Sequence, residues 1–253
     1  MSTLILKLIA YVSMLIDHTA VSLQITGHMR NLHTLYRVMR GVGRIAFPIF
    51  CFQVVQGAMY TKNKWKYLLR LVIFAVISEV PFDLALFGRL YEPHYQNVYF
   101  TLLLGLICVY TIQWGSRLPG KKVWLGWGAA LLVTGAAGAL AEYVVLSDYG
   151  WAGVFMIAVM GILAAPLPKI RYLVRSEYFF QMFISAFGIA VCILLTNNLE
   201  SFALLALIPI YFYNGVQGIA SKNARLVLYA FYPLHLIILG LLLVWPLVRH
   251  LYL

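Results

Sequence analysis

Long apolar runs, separated by short polar stretches, occupy almost the whole chain. They lie near 4–27, 41–60, 66–87, 97–113, 123–146, 151–166, 179–196, 200–213 and 226–247. A helix needs about 20 apolar residues to cross a bilayer, so the pattern predicts an all-α fold, a polytopic transmembrane helical bundle of nine spans. The runs ending at Pro166 and covering 200–213 are short for a full crossing. Eight spans is therefore the alternative, with one run re-entrant or tilted. No internal repeat or low-complexity tract interrupts the series, and one integral-membrane domain over residues 1–253 is the expected organisation.

Composition supports that class and excludes a water-soluble one. Of 253 residues, 63% are hydrophobic and 11% charged, against about 45–50% and about 25% in soluble domains. The formal net charge of +11 would suggest nucleic acid in a soluble protein. Here the bases fall mostly in short loops, where they report orientation, and no nucleic-acid partner is expected. The positive-inside rule assigns loops 61–66, 116–122, 167–177 and 214–225 to the cytoplasm together with Lys7, which puts the N-terminus inside and every lysine on that side. The first run reads as a retained span, because Asp17 and His18 break what would be the apolar core of a signal peptide.

One stretch departs from the rule. HMRNLHTLYRVMR (28–40) places Arg30, Arg37 and Arg40 outside. It reads either as an interfacial segment snorkelling into headgroups or as a surface for an anionic or polar substrate, with Arg37 and Arg40 as binding residues. Cys51, Cys108 and Cys192 are widely spaced in apolar runs and read as packing residues. His28 and His33 lack a third ligand nearby, and no metal is expected.

The eight acids locate the candidate chemistry. Asp17, Glu79 and Asp83 lie within apolar runs, where an ionised group costs about 2.5–3.5 kcal/mol on insertion scales and needs a partner. Span direction and helical rise bring Asp17, His18, Arg44, Glu79 and Asp83 to one depth in the outer half of the bilayer. One reading is an ion-pair network of Arg44 with Asp83 or Glu79 that fixes helix register. The other is a catalytic group, with His18 as general base and Glu79 or Asp83 as the carboxylate that orients it. Pro48, Pro81 and Pro233 fall in the helices that carry these groups, and broken helices line buried or wet cavities. His235, near the midplane of the last span, is either a second site residue or a histidine bonded to a neighbouring helix.

Several segments carry a resemblance. These are MLIDH (14–18), GRIAFPIFCFQVVQG (43–57) with the basic turn after it, LLRLVIFAVISEVPFDLALF (68–87), NVYFTLLLG (97–105) and YAFYPLH (229–235). In this order the chain resembles the TraX family of bacterial membrane proteins. The resemblance implies an acetyl-CoA-dependent N-acetyltransferase of the bacterial inner membrane, from a family named for acetylation of a conjugative pilin subunit. It marks Asp17, His18, Arg44, Glu79, Asp83 and His235, with Tyr232 in the FYPLH segment as a further substrate-binding residue.

The combined expectation is a multi-pass acyltransferase that moves an acyl group, most simply acetyl, from cytoplasmic acyl-CoA to an amine or hydroxyl of an envelope or pilin-like acceptor. Lys62, Lys64, Lys66 and Arg70 would form a basic rim for the anionic CoA, although topology alone also accounts for them. Arg44 would balance the carboxylates or stabilise a developing oxyanion. The alternative from another class is a proton-coupled transporter that uses the Asp, His, Glu and Arg cluster as a relay.

Overall fold

The structure, a computed structural model, describes residues 1–165, 177–196, 198–216, 218 and 222–249. Among the described residues all regular structure is helical. Helix α1 (Thr3–Ile25) begins where the Ser2 hydroxyl accepts a hydrogen bond from the Ile5 N–H. Helices α2 (His33–Gly43) and α3 (Ala46–Tyr60) follow, joined by a tight turn at Arg44 and Ile45. Helix α4 (Lys64–Phe87) is capped by Asn63, whose side chain accepts from the Lys66 N–H at 2.9 Å. It ends at Gly88, whose φ of 68° closes the last turn in the left-handed region that glycine tolerates.

Asn97 caps α5 (Val98–Gly115) by accepting from the Tyr99 N–H at 3.0 Å. Next come α6 (Lys122–Tyr143), α7 (Gly150–Ala164) and α8 (Glu177–Leu195). A 3-10 segment (Asn198–Ala206) runs into the short α9 (Leu207–Tyr211). The chain continues through α10 (Lys222–Leu239), a π-helical turn (Gly240–Val244) and α11 (Trp245–Val248).

Against the nine expected crossings, six helices among the described residues are long and apolar enough to cross a membrane: Thr3–Ile25, His33–Tyr60, Val98–Gly115, Lys122–Tyr143, Glu177–Leu195 and Val227–Leu247. The differences have separate causes. At a rise of about 1.5 Å per residue, α4 is long enough, but its ends and middle carry charge. Gly150–Ala164 is apolar but short. The run 200–213 forms mostly 3-10 helix rather than a continuous α-helix. Residues 28–40, expected as an outer loop, are largely helical, because α2 extends the second apolar run backward into an amphipathic segment. Most of the predicted basic loop 167–177, and part of 214–225, lie outside the described residues.

The core draws Leu6, Phe52, Phe82, Leu106, Met156 and Leu236 from six different helices. The outer faces are apolar too: Val76, Ile77, Val80, Leu131, Leu132 and Leu194 are exposed. An apolar interior inside an apolar exterior is what a bilayer solvent permits. Helices α5 and α6 cross at backbone distance, since a Cβ on Gly115 or Gly126 would lie 2.5 Å from the other residue's main chain.

Candidate functional site

Two polar systems meet around α1, and they start from adjacent residues. Asp17 and His18 point about 100° apart around the helix and so face different neighbours. Asp17 turns toward the α2–α3 junction. Its carboxylate accepts from Arg40 Nη1 at 2.5 Å and from Arg44 Nη2 at 3.3 Å. The Arg44 guanidinium also donates from Nη1 to Glu200 Oε1 at 2.8 Å and to the Tyr149 hydroxyl at 2.9 Å, and from Nε to the Arg40 carbonyl at 3.4 Å. Two guanidinium groups thus meet two largely buried carboxylates, with most Arg44 donors occupied by protein.

Gly43 makes the approach feasible. A Cβ there would sit 2.2 Å from Asp17 Oδ1 and 2.3 Å from Asp17 Cβ. Gly43→Ala is therefore expected to displace Asp17 and destabilise the fold by about 1–3 kcal/mol. A lower thermal unfolding midpoint of the detergent-solubilised protein would show it; an unchanged midpoint would mean that the helices separate without cost.

His18 faces the last long helix. Its Nδ1 lies 2.7 Å from His235 Nε2, and His235 Nδ1 lies 2.9 Å from the Phe231 carbonyl. A carbonyl only accepts, so His235 Nδ1 must carry the proton it shares with Phe231. With both rings neutral, His235 Nε2 then holds a lone pair and accepts from His18 Nδ1–H. The chain of bonds leaves the lone pair of His18 on Nε2. Both rings are buried and stacked, with centroids 5.0 Å apart and planes 10° apart.

The carboxylate expected to orient His18 from α4 is not there. Glu79 accepts instead from the Asn97 backbone N–H at 2.9 Å and from the Asn97 side-chain amide. Asp83 accepts from the Glu92 N–H at 2.9 Å. Both acids secure the 88–97 connection and the start of α5, where orphan N–H groups need acceptors. The alternative pairing of Arg44 with these acids is likewise replaced by Asp17 and Glu200. Arg37 is exposed, whereas Arg40 joins the cluster. Lys62, Lys64 and Lys66 are exposed, and Lys64 lies 4.8 Å from the centre of the Tyr110 ring.

The structure adds Asp148, Tyr149, Tyr95 and Glu200 to the site. Tyr95 comes from the 88–97 connection and Glu200 from the 3-10 segment; the 144–149 turn carries in Asp148 and Tyr149, pinned by Gln96 N–H to Leu146 carbonyl (2.9 Å), Asp148 N–H to Gln96 carbonyl (2.8 Å) and the Thr101 hydroxyl to the Asp148 carbonyl. Leu146 and Tyr149 hold φ of 56° and 64°, uncommon for residues with a side chain. The Tyr149 ring is fixed by stacking on Phe47 at 3.7 Å and by Arg44. The Tyr95 hydroxyl donates to Asp148 Oδ1 at 2.8 Å. Withdrawal from water raises the Asp148 carboxyl above the usual carboxylate range, opposed by Arg44 and Tyr95. Asp148 in turn pushes the Tyr95 hydroxyl up.

Two cavities serve these groups. One of about 250 Å³ is lined by Asp17, His18, Arg40, Arg44, Asp148 and Tyr149, among others. The other, about 470 Å³, has Lys7, Gln53, Thr61, Arg70, Tyr99 and Tyr213 in its wall. Phe50, Val98 and Tyr232 line both. Of the basic rim residues expected near CoA, Arg70 lines the larger cavity and Lys62, Lys64 and Lys66 do not. Among the described residues, no group of three His, Cys, Asp or Glu is arranged to hold a metal ion.

Comparison with known proteins bears on the same chain. No solved structure matches it. It is 27% identical over 246 residues to the "Probable fimbrial assembly protein FimC, serogroup H1" of Dichelobacter nodosus, covering 92% of each chain. The family profile described as TraX protein matches residues 2–243, a stretch that runs from the start of α1 past His235 and so contains both polar systems and both cavities. The chain belongs to the TraX family.

Proposed function

We propose that this protein is a multi-pass acyltransferase of the bacterial inner membrane, with its N-terminus and lysine-rich loops on the cytoplasmic side, that transfers an acyl group from acyl-CoA to an amine or hydroxyl of an envelope acceptor. The observation that carries the proposal is the bond chain from the Phe231 carbonyl through His235 to His18, which leaves a base at the wall of a polar cavity. The relative's name links that protein to fimbrial assembly, which supports a pilin-like acceptor within the envelope class.

In this reading acyl-CoA enters the larger cavity, past Lys7 and Arg70, and the acceptor occupies the smaller one. His18 Nε2 removes the proton from the acceptor nitrogen or oxygen as that atom attacks the thioester carbonyl carbon. A C–N or C–O bond forms, the tetrahedral oxyanion collapses, the C–S bond breaks, and the His18 imidazolium returns the proton to the leaving thiolate. His235 positions the base. Arg44, engaged by Asp17, Glu200 and Tyr149, holds the carboxylates rather than the reacting oxygen.

The test compares envelope peptides and small molecules, by mass spectrometry, from strains with and without the gene. An acetyl or longer acyl mass difference that disappears on deletion and returns with the wild-type gene is expected. Identical envelopes, together with solute flux in proteoliposomes lacking acyl-CoA, would replace this reading with transport.

A further inference from the structure

The junction between the two cavities holds an unused donor. Tyr232 is 3% exposed, and no group within hydrogen-bonding distance accepts its hydroxyl proton. A buried hydroxyl without an acceptor is costly, and native proteins retain few. The other buried side-chain atoms in this condition among the described residues are Gln53 Nε2, Ser78 Oγ, Asp83 Oδ1, Gln181 Oε1 and Ser185 Oγ. Of these, Gln53 lines the larger cavity, and Tyr232 differs from all of them in lining both.

The Tyr232 ring is held edge-on by three aromatic neighbours. Its centroid lies 6.1 Å from His18, 5.6 Å from His235 and 5.0 Å from Tyr99, with interplanar angles of 77°, 71° and 82°. Pro233, next in sequence, removes the N–H that would bond to the Tyr229 carbonyl. The Tyr99 hydroxyl lies 3.5 Å from that carbonyl instead. The ring is thus fixed, while its hydroxyl is kept unspent beside the histidine pair.

The geometry points to Tyr232 as a catalytic residue whose hydroxyl donates a hydrogen bond to the acyl carbonyl oxygen where the thioester crosses from the larger cavity to the smaller. The assignment rests on the acyltransferase reading and supplies the oxyanion donor that Arg44 does not. As the acceptor attacks, the carbonyl π electrons move onto oxygen, and a preplaced donor at a buried junction is worth most at that moment. Gln53 Nε2, unpartnered in the same cavity, offers a second donor to an amide carbonyl farther along the CoA arm.

Tyr232→Phe removes the hydroxyl and keeps the ring. In membranes of the deletion strain supplied with radiolabelled acetyl-CoA, label transfer into envelope material is expected to fall roughly 10²-fold. The thermal midpoint of the purified variant should stay level or rise by a few degrees, because an unsatisfied buried polar group has been removed. Tyr110→Phe is the control. It lines neither cavity, and its hydroxyl donates to the Lys64 carbonyl at 3.4 Å, so its midpoint should fall slightly and its transfer remain within a few-fold of wild type.

Transfer by Tyr232→Phe within about three-fold of wild type would overturn the assignment, as would a loss matched by a lower midpoint, which marks a structural role. If the wild-type protein transfers no label and acetyl-CoA leaves its midpoint unmoved, the acyltransferase reading itself fails, and the assignment falls with it.

Discussion

His18→Ala is expected to lower acyl transfer by about 10²–10⁴-fold, the range for loss of a positioned general base, while protein still reaches the membrane. The size follows from the tautomer. His18 Nε2 has a lone pair only because Nδ1 donates to His235, which in turn donates to Phe231. His235→Ala should act through the same chain at one remove. The base remains, but its ring loses orientation, so transfer should drop less than in His18→Ala, with a smaller change in the KM for acyl-CoA than in kcat. Stability changes should be modest by comparison, since His18→Ala leaves one buried ring nitrogen unpaired at about 1–3 kcal/mol. Full transfer by His18→Ala at normal abundance would remove His18 from the chemistry altogether.

Arg44→Met should have the largest effect on stability. Its guanidinium bonds to Glu200 at 2.8 Å, Tyr149 at 2.9 Å and Asp17 at 3.3 Å, with about a tenth of the arginine side chain exposed. Removing one member of a buried ion-pair set strands the others without their counter-charge and typically costs about 3–5 kcal/mol. Asp17 keeps Arg40, so the stranded carboxylate is chiefly Glu200. The double variant Arg44→Met with Glu200→Leu should therefore recover part of the loss, which simple volume effects would not produce. Denaturant midpoints in detergent and membrane abundance are the measurements. A single variant within about 1 kcal/mol of the parent would place the cluster among ordinary surface pairs.

Much of this arrangement was legible from residue types alone. The cost of ionised groups in a bilayer selected Asp17, His18 and Arg44, and all three line one cavity. His235 was open between site and packing, and bonds directly to His18. Glu79 and Asp83 share the expected depth but not the site, because depth along a span does not fix the direction in which a side chain faces. Both turn to backbone N–H groups around the 88–97 connection, a demand invisible to a hydropathy profile. Asp148 and Glu200 lie at the ends of apolar runs, where an acid needs no special explanation, so residue type alone does not single them out. The signal that could find them is alternation: between the cytoplasmic loops, their turns fall on the same side as Arg44. The nine apolar runs outnumber the six long apolar helices among the described residues for a related reason, since apolarity is shared by α-helix, 3-10 helix and short buried helix, and only length and hydrogen bonding separate them.

The partition between the two cavities is one side chain thick, built from Phe50, Val98 and Tyr232 side by side. On the proposed reading, with acyl-CoA reaching one cavity from the cytoplasm and the acceptor reaching the other, so thin a septum in a membrane that stores an ion gradient is a leak waiting for one water file. Phe50 and Val98 would then have a duty that group transfer alone does not assign, which is to keep the septum impermeable between turnovers. An acyltransferase of this shape would be selected for electrical tightness as well as for rate.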